Sequence, residues 1–255
     1  MTLTGKTILI TGASRGIGAA TAKACHEAGA RVILHSGGPS VAADAAAEAI
    51  GQTGDDFLFE DLNKPHAGSR LVERALGKMG QLDGVVNNAG AFTPSPLATE
   101  ISEWDAGWDR AMAVNVRAPA DICRAAIAHF RARGVDERGI AGSIVNVASR
   151  AGHRGDGVEN AAYAASKGAV LAMTKTWARG LAGEGILLYA IAPGWVETRM
   201  APQDIAARKD AVTEIPLGRV AQPEEVGALM VFLLTGASPS STGATFDVNG
   251  ASYVR

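Results

Sequence analysis

The chain has 255 residues, a net charge of −2, 47% hydrophobic residues and 31 glycines, enough for one large α/β domain. A charge this small, with no long basic run, argues against a nucleic-acid partner or an anionic membrane surface. No window reaches the length of a membrane span, the N-terminus lacks the apolar stretch of a secretory leader, and Cys25 and Cys123 lie in Ala-rich segments as buried thiols. A cytoplasmic enzyme with no metal site is expected.

Short apolar or β-branched runs occur at residues 6–11, 30–35, 56–60, 83–87, 143–148, 186–191 and 245–248. Between them lie Ala-rich segments with helical periodicity at 16–28, 40–50, 67–79, 104–133, 161–181 and 223–234. Strands that are apolar throughout belong to a sheet covered on both faces. Strand–helix alternation then predicts an α/β fold: one domain over residues 1–255, built on a doubly wound parallel seven-stranded sheet. The irregular stretches 153–160 and 196–216 follow strands and fall at the carboxyl edge, where such sheets bind ligands. The second is expected to form a small substrate lid.

The turn TGASRGIG at residues 11–18 leaves the first strand and opens a helix. Gly12, Gly16 and Gly18 allow a tight turn, close backbone approach to a pyrophosphate and close helix–strand packing, while Ser14, Arg15 and Ile17 bring backbone N–H groups at the positive helix end. This predicts a Rossmann-type dinucleotide site. An acidic residue at the end of the second strand would bind the ribose hydroxyls and repel a 2′-phosphate. The chain instead has His35, Ser36, Gly37 and Gly38 there, and Arg15 is placed to reach a 2′-phosphate, so NADP(H) is favoured over NAD(H). Asp61 and Leu62, after the third strand, are placed to contact the adenine edge. Asn87 and Asn88 can tie neighbouring strand ends, and Ala89 and Gly90 leave room for the adenosine ribose.

Tyr163 and Lys167 lie four apart at the start of an Ala-rich helix, hence on one face. A free phenol, with a pKa of about 10, is a poor acid or base at neutral pH, and a nearby ammonium is expected to lower that by about one to three units. Ser149 ends the fifth strand and can hydrogen-bond a substrate oxygen as charge develops. Asn115 falls inside the segment 104–133, where Asn is a poor helix former, so a kink there with a water link to Lys167 would complete a proton relay. Phe92, Trp104, His153 and Trp195 are candidate pocket walls, and Met200, Pro202 and Ile205 belong to the expected lid.

Taken together, TGASRGIG, Asp61, NNAG at residues 87–90, Asn115, Ser149, YAASK at 163–167 and PGWVET at 193–198 resemble the short-chain dehydrogenase/reductase family over essentially the whole chain. Within it the chain looks most like the branch of the 3-oxoacyl-carrier-protein reductases. The resemblance implies the strand order 3-2-1-4-5-6-7 and a catalytic tetrad of Asn115, Ser149, Tyr163 and Lys167. It implies that Tyr163 and Lys167 also meet the cofactor, Lys167 bridging the nicotinamide ribose hydroxyls. Pro193 and Gly194 would join the cofactor site, with Val196 and Thr198 on the carboxamide. It further implies a homotetramer, or a dimer, formed through the long helices and the C-terminal strand and helix. The implied reaction is hydride transfer between a nicotinamide and a carbonyl or alcohol carbon. Carrier-protein reductases present a basic docking residue in the turn where this chain has Glu184, so a small free carbonyl competes equally with an acyl thioester as substrate. Two other readings keep the fold: a non-catalytic nucleotide-binding regulator, which should lose Tyr163, Lys167 or Ser149, and a sugar-nucleotide epimerase or dehydratase, which should carry a larger C-terminal domain.

Overall fold

In the computed structural model, which describes residues 1–201 and 204–255, the strands are β1 (Thr7–Ile10), β2 (Arg31–Ser36), β3 (Leu58–Phe59), β4 (Gly84–Asn87), β5 (Gly142–Val147), β6 (Ile186–Pro193) and β7 (Thr245–Val248). They form one all-parallel sheet in the order β3-β2-β1-β4-β5-β6-β7. The helices are α1 (Gly16–Glu27), α2 (Val41–Glu48), α3 (Ala67–Met79), α4 (Ile101–Met112), α5 (Ala118–Arg133), α6 (Ala151–Arg154), α7 (Ala161–Leu181), α8 (Ile205–Thr213) and α9 (Pro223–Leu234).

Side chains alternate across the sheet, so each inner strand feeds two cores. Ile8, Ile10, Val32, Leu34, Val86 and Val145 pack with α1, α2 and α9 through Ala22, Cys25, Ala43, Ala47, Val226 and Met230. Leu9, Ile33, Val85 and Ile144 pack with α3, α5 and α7 through Leu71, Val72, Ile122, Phe130 and Ala178. Both cysteines are free and buried, and burial pushes each thiol up to about 12. Among the described residues, no helix is long and apolar enough to cross a membrane.

Two segments carry detail beyond the sequence pattern. The segment 104–133 is broken at Asn115, where a kink is expected, by a π-helical turn, Ala113–Arg117, between α4 and α5. The stretch 196–216 contains α8, whose N-cap Asp204 accepts from the amides of Ala206 and Ala207. Pro202 lies outside the described residues.

The chain order reverses between β1 and β4, which lie side by side at the centre of the sheet. Their carboxyl ends, Thr11 and Asn87–Gly90, therefore frame the crevice where such sheets bind ligands.

Candidate active site

A cleft of about 690 Å³ runs along this edge, lined by the turn after β1, the ends of β2, β4, β5 and β6, and the start of α7. Its size is that of a cofactor pocket.

Gly12 has φ +65°, and a Cβ there would fall 2.9 Å from Ala89 Cα. A Cβ on Gly18 would fall 2.2 Å from the Gly12 carbonyl oxygen. Both positions exclude any side chain, which is how the turn lies flat against the end of β4. The Thr11 hydroxyl accepts from the amides of Asn88 and Ala89, both at 3.0 Å, and Asn88 Nδ2 donates to the carbonyls of Thr11 (2.9 Å) and Gly12 (3.2 Å). Helix α1 has no side-chain cap and no acidic residue in its first turn. Its N–H groups and positive end thus face the cleft unneutralised, as a pyrophosphate requires.

His35, buried at the end of β2, accepts from the Gly12 amide at Nδ1 (3.4 Å) and donates from Nε2 to the Glu60 carbonyl (2.9 Å). Burial lowers its pKa, which suits this neutral form. Sequence reasoning did not find this link. Ser36 donates to the Gly38 carbonyl at 2.8 Å, and a Cβ on Gly37 or Gly38 would meet nothing within 4 Å. The Glu60 carboxylate is engaged by Arg70 (2.6 Å) and Arg74 (3.5 Å). Arg15 is exposed beside this end of the cleft, which also includes Asp61 and Leu62. Across the cleft lie Pro193, Gly194, Val196 and Thr198, with Val196 in a β-bridge to Ala221.

The π turn directs Asn115 inward. Its Oδ1 accepts from the Ala91 amide (2.7 Å), and its Nδ2 donates to the Ala91 carbonyl (2.9 Å) and to Ser166 Oγ (3.0 Å). Ser166 in turn donates to the Tyr163 carbonyl at 2.7 Å. Asn115 therefore ties the loop after β4 to the helix bearing Tyr163. Ser166 was missed; its one signal was a hydroxyl between Tyr163 and Lys167 in an Ala-rich run. A Cβ on Gly90 would lie 3.4 Å from Asn115 Oδ1 and 3.5 Å from Lys167 Nζ, so both polar atoms border the same point.

Ser149 follows β5, accepts from the Ala151 amide at 3.1 Å and hydrogen-bonds the Tyr163 phenol. Phe92 meets the Tyr163 ring edge-on at 4.9 Å. The buried Lys167 donates to the Val147 carbonyl at 2.8 Å and sits 5.7 Å from the centre of the Tyr163 ring. The expected depression of the Tyr163 pKa is not found. Burial pushes the phenol up, the Ser149 hydrogen bond opposes this, and Asp156 adds to it. Lys167 is instead brought down to about 8 by burial. The helical spacing predicted the contact but not the desolvation, which acts on both groups.

Of the candidate walls, Phe92 and Trp195 line the cleft with Met200. His153 and Trp104 are not among its lining residues: His153 stacks on Tyr253 at 5.8 Å, and Trp104 packs on Trp108 at 5.8 Å. Ile205 is 86% exposed. In the turn after α7, Glu184 is held by Arg131 through two bonds of 2.6 and 2.7 Å. Arg150, beside Ser149, was also missed. It is only 6% exposed, and its Nη1 has no acceptor among the described residues. Leaving even a neutral buried donor unmade costs about 1–3 kcal/mol, and a charged one more.

Residues 12–251 match the family described as enoyl-(acyl carrier protein) reductase. The chain is 37% identical to the 3-oxoacyl-[acyl-carrier-protein] reductase FabG of Thermotoga maritima, covering 98% of each chain. It is 34% identical to human L-xylulose reductase, covering 97% of this chain and 96% of that one. A solved structure from Beutenbergia cavernae, described as an NAD(P)-dependent gluconate 5-dehydrogenase with NADP at low occupancy, superposes with a TM-score of 0.85 at 30% identity, covering 98% and 97% of the two chains. The chain thus belongs to the short-chain dehydrogenase/reductase family of NAD(P)-dependent oxidoreductases.

Proposed function

We propose that the protein interconverts a ketone and a secondary alcohol, with Tyr163 as the acid/base. The observation that carries this reading is the meeting of the Ser149 hydroxyl, the Tyr163 phenol and the buried Lys167 ammonium in one cleft beside the phosphate turn. When bound, the nicotinamide supplies or accepts the hydride. Ser149 and Tyr163 hydrogen-bond the substrate oxygen, and Tyr163 donates its proton as negative charge grows there. The raised phenol pKa keeps that proton in place beforehand. Lys167 stabilises the phenolate that is left, and the approach of Lys167 Nζ and Asn115 Oδ1 to the same face of Gly90 suits a relay that refills the proton. The reverse sequence oxidises the alcohol.

The phosphate turn would hold the pyrophosphate, with Lys167 on the nicotinamide ribose and Val196 and Thr198 on the carboxamide. NADP(H) is favoured over NAD(H): of the two carboxylates beside this end, Glu60 is committed to Arg70 and Arg74 and Asp61 accepts from the Asn63 amide, while Arg15 and the open space at Gly37 and Gly38 suit a 2′-phosphate. The commitment of Glu184 to Arg131 leaves no basic docking residue in that turn, which supports a small free substrate over an acyl-carrier thioester. Residues 196–216, with α8, would serve as the substrate lid of a single-domain, cytoplasmic homo-oligomer. The test is Tyr163→Phe. Turnover should fall by about 10²–10⁴-fold, the usual share of general acid–base catalysis, with cofactor affinity nearly unchanged. Survival of turnover would exclude this mechanism.

A further inference from the structure

We propose that the substrate is a short oxo or hydroxy acid whose carboxylate is bound by Arg150 and Arg154; this narrows the carbonyl reading above and rests on it. The catalytic end of the cleft is unevenly charged. Arg110, Arg150 and Arg154 line it together with Tyr163 and Trp195, and Asp156 is the lining carboxylate that faces them among the described residues. Arg150 is the N-cap of α6 and Arg154 its last residue, four apart, and both heads reach the same Glu214 oxygen.

The two arginines share a single acceptor. Glu214 Oε2, at the end of α8, lies 3.4 Å from Arg150 Nη2 and 3.3 Å from Arg154 Nη2. One oxygen at these distances leaves Arg150 Nη1 unmade among the described residues, while the other donors of the exposed Arg154 face solvent. Arg150 is more than nine-tenths buried, its face lies 5.9 Å from the Trp195 ring centre, and its Nη1 has no acceptor among the described residues. Asp156 does not supply one: its carboxylate accepts from the Gly157 amide at Oδ1 (2.8 Å) and makes no bond to Arg150 Nη1. A buried guanidinium with one long ion-pair bond and one unmade donor is matched by a carboxylate, which can take two parallel charge-assisted bonds. Arg150 follows Ser149 in the chain and lines the same cleft, so an acid with its carbonyl a few bonds from its carboxylate can span the two.

The test uses the purified full chain, NADPH and NADH, and matched pairs: 2-oxobutyrate with its methyl ester, and levulinate with its methyl ester. Wild type should favour each acid over its ester at least about tenfold in kcat/KM, and the ratio should fall below about two in Arg150→Gln and in Arg154→Gln. Arg154 is exposed, so Arg154→Gln keeps the test intact if Arg150→Gln does not fold. Calorimetric titration of the acids into cofactor-saturated protein should show an affinity loss of about tenfold in Arg154→Gln, with cofactor affinity and melting temperature retained. A wild type that prefers the esters, or an acid preference that persists in Arg154→Gln, overturns the proposal. Acids bound but not reduced would sink the carbonyl reading and leave the anion site standing. Esters reduced while acids are neither bound nor reduced would do the opposite, and failure of both pairs in both assays would end both.

Discussion

Lys167→Met makes a sharp test of the buried ammonium. Lys167 is 4% exposed, and burial takes its pKa from an ordinary 10.5 to about 8. Between these values the unfolded chain holds a proton that the folded chain has released, so stability rises with pH through that window. Below the folded pKa both states are charged and the folded protein bears the whole penalty, about 3 kcal/mol at about 1.4 kcal/mol per pKa unit. Raising the pH from about 7 to about 9.5 relieves about 2 kcal/mol of it. Methionine keeps the length and apolar stem but does not titrate. The lost bond to Val147 shifts the variant by a nearly constant amount, and the other groups that titrate here are common to both proteins. Wild type should therefore gain about 2 kcal/mol on Lys167→Met over this range, or about 4–8 °C in Tm for a chain of this size. Paired urea unfolding at the two pH values measures it. A gap that stays constant would mean that Lys167 is solvated in the folded protein and that burial does not set its charge.

Other outcomes follow from the same geometry. Gly18→Ala places a Cβ 2.2 Å from the Gly12 carbonyl oxygen, so it should cost about 1–3 kcal/mol of stability by overpacking and weaken cofactor affinity more than about tenfold, read by melting and fluorescence titration. Asn115→Ala removes three buried hydrogen bonds and leaves the Ala91 amide and carbonyl unpaired; about 2–4 kcal/mol should be lost in urea unfolding. Steady-state kinetics should favour NADPH over NADH, and Arg15→Gln should erase the preference; a clear NADH preference in wild type would refute the role given to Arg15.

The sheet was legible because its strands are apolar on both faces and its helices carry plain signals. Helices α3, α7 and α9 match their predicted bounds. The π turn was legible only as the kink expected at Asn115, since an Asn at an awkward helix position was its one sequence signal. Helix α8 was missed because it has no apolar face, with Ala211 its one buried residue; the Asp204 cap was its available signal. At the candidate site, spacing brought Tyr163 and Lys167 together but gave the wrong sign for the phenol, since burial is a property of the folded neighbourhood. Arg150 and Ser166 stayed hidden for the same reason: their partners lie on other segments.

The Asn88 side chain and the Thr11 hydroxyl lace the first and fourth strand ends together, while Asn87, Asn146 and Thr174 form a buried chain of bonds from β4 through β5 to α7. These seams run through the sheet edge and leave out residues 153–160 and 196–216. The scaffold of the cofactor cleft and the segments proposed to border the substrate are thus held by different bonds. A lineage could exchange the second set many times over, acquiring new substrates, while the first set kept its geometry.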